Sequence, residues 1–388
     1  MKQEPRSGRG EKWLFVALLP CIVAVVCGCQ TLNFYAQAIR GESRILFHEE
    51  PIDRLIADAQ TPARLKEQLQ LVQQLRAFAQ KDLQLPVDRH YCKYVDVHRP
   101  YVVWNVQAAP RFSLEPRSWW YPVAGRLEYR GYFSERGARD CARRMEAQDY
   151  DVSVNGVEAY STLGWFKDPV LNTFIYGHEP ELAEVIFHEL GHQRVFARGD
   201  TDFNEAFATT VGQEGARRWL RARGRTTLCD HYLLSLRRND QFVHLILETR
   251  ERLENVYGDT LDKEGKVKAA KRLPAAPEQL RREKQRVFEE LRSEYAALKS
   301  EWGGYSGYDD WFTGELNNAR LNTIANYYDY VPGFERLLRL NGGDLEQFYQ
   351  AAERLAKMPR EERHRRLRQM AAGKGSADFA KGRGFRGE

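Results

Sequence analysis

Between residues 51 and 81, Leu55, Leu65, Leu69, Val72, Leu75 and Phe78 recur at helix-compatible intervals among Gln, Lys and Arg. That spacing lays one apolar stripe along a helix. The run Asp58-Ala59-Gln60-Thr61-Pro62 reads as a turn followed by a helix start, so the segment predicts one helical hairpin. From residue 91 to 175 the chain is rich in Tyr, Val, Trp and Phe and is punctuated by Pro and Gly. Short strands are expected over 101–106, 127–133 and 150–154, with a helix over 134–148 between them. Trp104, Trp119, Trp120 and Trp165 fit core and sheet packing in this region.

Beyond Pro180 the pattern turns almost wholly helical. Helices are expected over 181–198, 205–221, 229–257, 280–300, 311–330 and 334–340, with a last one opening after Gly342-Gly343-Asp344. The helix over 280–300 carries Val287, Leu291, Tyr295 and Leu298 on its apolar face, and its many charges fit a solvated face. Residues 261–277 read as a loop, and 371–388, mostly Gly, Ala, Lys and Arg, as a disordered tail.

At the other end, Lys2, Arg6, Arg9 and Lys12 precede an apolar run from Trp13 to Val26, broken by Pro20. Such a run is short for a bilayer-spanning helix and has the length of a signal-peptide hydrophobic region. It ends in Val26-Cys27-Gly28-Cys29, which resembles the lipobox of bacterial lipoproteins. That likeness implies cleavage before Cys29, acylation of Cys29 and a lipid-anchored body. Gln30 in place of aspartate implies the outer membrane, facing the periplasm. The expected organisation is therefore a signal peptide over 1–28, a helical segment over 29–90, a sheet-containing part over 91–180, a helical part over 181–370 and the tail.

Composition narrows the function classes. With 43% hydrophobic and 29% charged residues the chain is neither a polytopic membrane protein nor wholly disordered. A net charge of +5, spread among nearly equal numbers of acids and bases, leaves no nucleic-acid footprint. Cys92, Cys141 and Cys229 would remain after processing and allow at most one internal bridge; none forms a CxxC pair.

Chemistry enters at residues 188–192, His-Glu-Leu-Gly-His, inside an amphipathic segment. Histidines four apart project from one face of a helix, and Glu189 is turned about 100° from His188 around the axis. The chain then turns at Gly199-Asp200-Thr201-Asp202, and a second helix opens with Asn204-Glu205-Ala206. An antiparallel return would bring Glu205 over His188 and His192, giving two imidazoles and a carboxylate, a common donor set for catalytic zinc. Asp202 is the rival third ligand, and Glu205 could instead serve only the dipole of its helix. The compact third histidine of HExxHxxGxxH is missing, since Val195 and Arg198 stand there.

His188 to His192 followed by Asp200-Thr201-Asp202-Phe203-Asn204-Glu205-Ala206-Phe207-Ala208 resembles the bacterial putative aminopeptidase family of zinc metallopeptidases. So do Trp104-Asn105-Val106, Pro122-Val123-Ala124-Gly125, Tyr129-Arg130-Gly131-Tyr132-Phe133 and the run from Ala159 to Pro169. The resemblance implies a gluzincin-like site: zinc held by His188, His192 and Glu205, and Glu189 as catalytic acid and base. Trp120 and Arg126 depart from it, standing where many relatives carry cysteine, so a bridge available to those relatives would be missing here.

The expectation is thus an α+β fold: a mostly helical, zincin-like metallopeptidase with a small mixed or antiparallel sheet preceding the HExxH helix. Its substrate would be a peptide or protein. Tyr327 and Tyr328, on the helix that also carries Asn318 and Asn322, are candidate transition-state donors. Residues 160–173 could line the cleft as an edge strand for the substrate. The competing classes are a non-catalytic metal-binding envelope or chaperone-like lipoprotein and a hydrolase of small amides or esters.

Overall fold

The computed structural model describes residues 48–121, 125–158, 168–262, 266–328 and 330–373. Residues 1–47, where the signal peptide and acylated Cys29 are expected, lie outside them, as do 159–167 and the residues from 374. The fold is α+β, as expected. No helix among the described residues is long and apolar enough to cross a membrane.

The chain starts with β1 (Glu50–Pro51), α1 (Ile52–Ala57) and α2 (Ala63–Lys81), the helical hairpin foreseen from the apolar stripe. Leu65, Leu69, Val72 and Leu75 are all buried along α2. The sheet region follows as β2 (Lys93–Val95), β3 (Val103–Pro110), β4 (Trp119–Tyr121), β5 (Gly125–Leu127) and β6 (Arg130–Tyr132). Then come α3 (Glu135–Glu146), β7 (Tyr150–Val157) and β8 (Val170–Leu171).

Among the described residues three small sheets precede the HExxH helix, where one was expected. An antiparallel sheet has the order β6-β3-β7, and a mixed one the order β1-β2-β8, in which β2 runs parallel to β8. β4 and β5 make a separate hairpin, so the expected strand over 127–133 divides between β5 and β6 at Glu128-Tyr129. In that hairpin Trp120 and Arg126 are cross-strand partners. Ser134 caps α3 by accepting the Gly137 N–H at 3.0 Å, and Ala138, Cys141, Ala142 and Met145 form its buried face. Cys92, Cys141 and Cys229 are all free.

The helical part comprises α4 (Glu179–Arg194), α5 (Thr201–Ala222), α6 (Thr226–Tyr257), the hairpin β9 (Thr260–Leu261) and β10 (Val267–Lys268), and α7 (Pro277–Glu301). It continues with α8 (Asp309–Phe312), α9 (Asn318–Tyr328), α10 (Val331–Leu340), α11 (Leu345–Ala356) and α12 (Arg360–Ala371). Three expectations change. The loop expected over 261–277 contains a β-hairpin. The single helix over 311–330 is two, because Gly314 adopts φ +78°, outside the right-handed helical region. After α11 the chain breaks before Pro359 and resumes as α12.

α6, α7 and α9 enclose one core, with Phe242, Ile246 and Leu253 against Val287, Leu291 and Leu321. Asn318 ties α9 to the end of β3, its amide donating to the carbonyls of Pro110, Arg111 and Ser113 at 3.0–3.1 Å. A second aromatic core joins α5, α10 and α11, where Phe207 packs on Phe334 and stacks on Phe348.

α4 and α5 pack closely, and glycines allow it. A Cβ at Gly212 would lie 2.8 Å from the Glu184 carbonyl oxygen and 3.1 Å from the His188 Cβ; one at Gly191 would lie 3.3 Å from the Ala208 Cα. The Gly212→Ala variant should therefore force the two helices apart beside His188. We expect it to lose about 1–3 kcal/mol of stability, the usual cost of overpacking, measured by urea denaturation. A fully stable variant would show that the helices yield without cost.

Candidate metal centre

α4 begins at Glu179-Pro180, and the His178 backbone N–H donates to the Glu181 carboxylate at 2.8 Å. Proline near the start and acidic residues in the first turn suit a helix N-terminus. Leu182, Ala183, Ile186, Phe187 and Leu190 bury one face, which fixes the rotation of the helix and hence the direction of His188 and His192. Their rings lie 4.9 Å apart, nearly perpendicular.

The expected helix to residue 198 stops earlier, at Arg194, because Val195 is extended at φ −138°, ψ 129°. Asn204 explains how the extended piece is held: its side chain accepts the Ala197 N–H at 2.7 Å and donates to the Ala197 carbonyl at 2.9 Å. Gly199 makes the turn at φ +74°, and Asp200 caps α5 through the Phe203 N–H. Asp200 is in turn gripped from α12 by His364 at 2.8 Å and Arg363 at 3.2 Å. The first turn of α5, just ahead of Glu205, is thereby tied to the extended segment after α4 on one side and to α12 on the other.

Glu205 reaches the histidines. One of its carboxylate oxygens is 3.4 Å from His188 Nε2 and 3.7 Å from His192 Nε2, and one donor atom from each of the three residues lies within 4.8 Å of the others. Ligands at about 2.1 Å around a tetrahedral zinc stand about 3.4 Å apart. The donor set and its spacing therefore fit a divalent ion of the zinc type. Asp202, the rival, is not brought there. Arg360 holds it at 3.1 Å and Lys266 stands 3.7 Å away. It clusters instead with Asp200 and His364, where guanidinium groups already neutralise the acids.

Glu189 stands outside the trio. It is buried, and its Oε2 has no hydrogen-bond partner among the described residues. Burial pushes its carboxyl up to about 7, aided by the charges of Glu205 and Asp168 and opposed by His188. Burial also drives His192 down to about 4. For His188 burial acts downward too, but contact with Glu205 and the charges of Glu189, Glu205 and Glu184 outweigh it and raise the pKa. Burial opposes ionisation of Glu205, yet His192 and His188 outweigh it and hold its pKa low. A neutral His192 beside an ionised Glu205 is the state in which both can donate lone pairs to a cation.

Two residues join the site that sequence reasoning did not assign to it. Glu184 precedes His188 by one helical turn, and its carboxylate accepts the Tyr232 hydroxyl of α6 at 2.7 Å. The four-residue spacing was the available signal. Tyr129, at the bend between β5 and β6, shares a cavity with Glu205. Burial and then the charges of Glu205 and Glu189 push its phenol up to about 12, so it keeps its proton. Nothing in the local pattern distinguished it from the other tyrosines.

Tyr327 and Tyr328 end α9, but their side chains lie outside the described residues. Asn318 and Asn322 are occupied in tying α9 to the backbone of residues 110–114. Of the suggested edge strand, 160–167 lies outside the described residues, while β8 is buried against β2.

The family model described as "Putative aminopeptidase" matches residues 33–367. No curated protein and no solved structure matches the chain.

The buried Glu189 gives a pH test on metal-free protein. Its folded pKa, about 7, lies above its ordinary 4.5, so the folded state favours the protonated form. That contribution is fully present below about pH 4.5 and is lost as pH rises through 7. Glu189→Gln lacks this loss. Denaturation in chelator should show the variant gaining on wild type by up to about 3 kcal/mol between pH 4.5 and 8. A constant difference across that range would mean that the carboxyl titrates normally.

Proposed function

The chain belongs to the putative aminopeptidase family, and from that premise we propose that it is a zinc-dependent peptidase tethered to the bacterial envelope through a lipid on Cys29. The observation that carries the reading is the convergence of His188, His192 and Glu205 donor atoms within 4.8 Å. These three residues would hold the ion. A zinc ion held there would supply Lewis acidity, which polarises a scissile carbonyl and lowers the pKa of water toward 7.

The remaining work falls to side chains. Glu189, adjacent to the trio but not part of it, takes a proton from the attacking water as the new C–O bond forms. It returns that proton to the amine as the C–N bond breaks. Its buried oxygen supports the assignment: such a carboxylate costs stability, and among the described residues Oε2 has no hydrogen-bond partner, the charge of His188 offsetting only part of the cost. This observation also weighs against a purely structural or metal-storing role. The Tyr129 phenol is our choice of donor to the carbonyl oxygen as negative charge grows there, with Tyr327 and Tyr328 as the competitors. Glu184, bonded to Tyr232, would position His188, as carboxylates commonly do for ligating histidines.

Substitutions separate holding the ion from chemistry. Glu205→Ala should lose zinc by more than the roughly 10- to 100-fold typical of changes behind the ligands. Glu189→Gln should keep about one zinc per chain yet cleave a mixed peptide library at least about 10²-fold more slowly. Tyr129→Phe should keep zinc and slow cleavage, with Tyr327→Phe and Tyr328→Phe as comparison. Zinc is read by plasma mass spectrometry. Full zinc in Glu205→Ala, or equal cleavage by Glu189→Gln, contradicts the assignment concerned; zinc-loaded wild type that cleaves no peptide contradicts the peptidase reading.

The tether has its own measurement. Residues Trp13 to Cys29 motivate it, and several acyl chains would hold the body firmly at about 0.8 kcal/mol per buried CH₂. Intact mass of membrane-extracted protein should show loss of residues 1–28 and an acylated Cys29. An unmodified chain beginning at Met1 would rule the tether out.

A further inference from the structure

A cavity of about 420 Å³ adjoins the trio and shares Glu205 with it. The β4–β5 hairpin supplies Arg126 to its lining, the bend after β5 Glu128, the β9–β10 hairpin Lys266 and Lys268, and the start of α5 Asp202. Its volume suits a ligand of a few residues.

The charges around this cavity are not equally available. Glu128 is bonded by Lys266, Asp202 by Arg360 at 3.1 Å, and Glu115 by Lys268 at 3.0 Å. Each of these acids thus has a cation, and each of these cations has an acid. Glu205 belongs to the trio. Arg126 alone among the described charged residues of the lining has no ion-pair or hydrogen-bond partner, and it is exposed on a strand that leads directly to Tyr129. Across the hairpin its partner is Trp120, 66% exposed, which offers an aromatic face but no counter-charge.

Selective binding of a free α-amine in this cavity would require the opposite, a carboxylate of the lining without an internal partner. A guanidinium in a partly enclosed cavity is instead suited to a carboxylate, which it can bind through two parallel hydrogen bonds. We propose that Arg126 forms an anion-recognising subsite beside the trio and that the substrates are peptides with a carboxylate within a few residues of the scissile bond. This deepens the peptidase reading and rests on it for the word substrate. The carboxylate is either the chain end or an acidic side chain.

Binding and cleavage are to be measured separately. Calorimetry on full-length, zinc-loaded Glu189→Gln would compare tetra-alanine as free acid, its C-terminal amide, and an amide carrying one glutamate. The free acid should bind at least about 10-fold more tightly than the amide, the range of a charged hydrogen bond. A glutamate that restores tight binding assigns the subsite to side chains as well; one that does not assigns it to the chain end. Adding Arg126→Ala should bring the acid-to-amide ratio close to one, and Arg126→Lys should retain part of it. An unchanged ratio in Arg126→Ala, equal binding of acid and amide, or no peptide binding overturns the proposal. Acid-selective, Arg126-dependent binding without cleavage by wild type leaves the subsite standing and removes the peptidase reading. Cleavage indifferent to the carboxylate does the reverse.

Discussion

The site depends on how closely α4 and α5 approach. Zinc-type coordination tolerates donor positions only within a few tenths of an ångström, and here the donors come from two helices. Gly191 and Gly212 remove the side chains that would otherwise separate those helices at the level of His188. Phe203, Ala206 and Phe207 are fully buried around the Glu205 turn and limit its rotation. Backbone packing thus sets the distance, and side-chain packing sets the direction.

That arrangement stores unfavourable electrostatics in the core. Glu184, Glu189 and Glu205 are gathered near His188, and burial opposes the charge on each of them. Glu184 is relieved by Tyr232 and Gln213, and Glu205 by the histidines, whereas Glu189 has the charge of His188 but no hydrogen-bond partner for its Oε2 among the described residues. In the metal-free protein burial is the main cause that raises the Glu189 carboxyl. The rest of the fold must supply the stability that this site does not. The Asp200 node does part of that: a buried acid bonded to His364 and Arg363 and capping α5 secures the turn from which Glu205 projects.

The walls of the adjoining cavity come from parts of the chain far apart in sequence. The Lys266–Glu128 and Lys268–Glu115 pairs link the β9–β10 hairpin to the segments around β4 and β5, and Arg360 joins α12 to the start of α5. Mutual neutralisation has two consequences. It holds the walls together in partly desolvated surroundings, where paired charges are tolerated and lone ones are not, and it leaves Arg126 as the charge still free to meet a ligand. The same pairing removes Asp202 as a ligand for the trio.

Local periodicity determined much of this protein. The apolar stripe of residues 51–81 specified the first two helices, and the four-residue interval put His188 and His192 on one helical face, because both depend only on 3.6 residues per turn. The acidic start of α5 made Glu205 a candidate, but no local rule separated it from Asp202. That choice was made by Arg360, 158 residues downstream of Asp202. Tertiary contacts likewise decided that α4 ends at Arg194, since the Asn204 side chain supplies the hydrogen bonds that the extended residue Ala197 would otherwise lack. Gly314 carried a break signal in the sequence, but a positive φ is only one of a glycine's options; in the fold Gly314 adopts it and its carbonyl accepts from Arg292. Arg126 in the β4–β5 hairpin and Tyr129 just after it share a cavity with the start of α5, and such a placement is a property of the folded chain, because no pattern along the sequence encodes which distant segments will share a cavity.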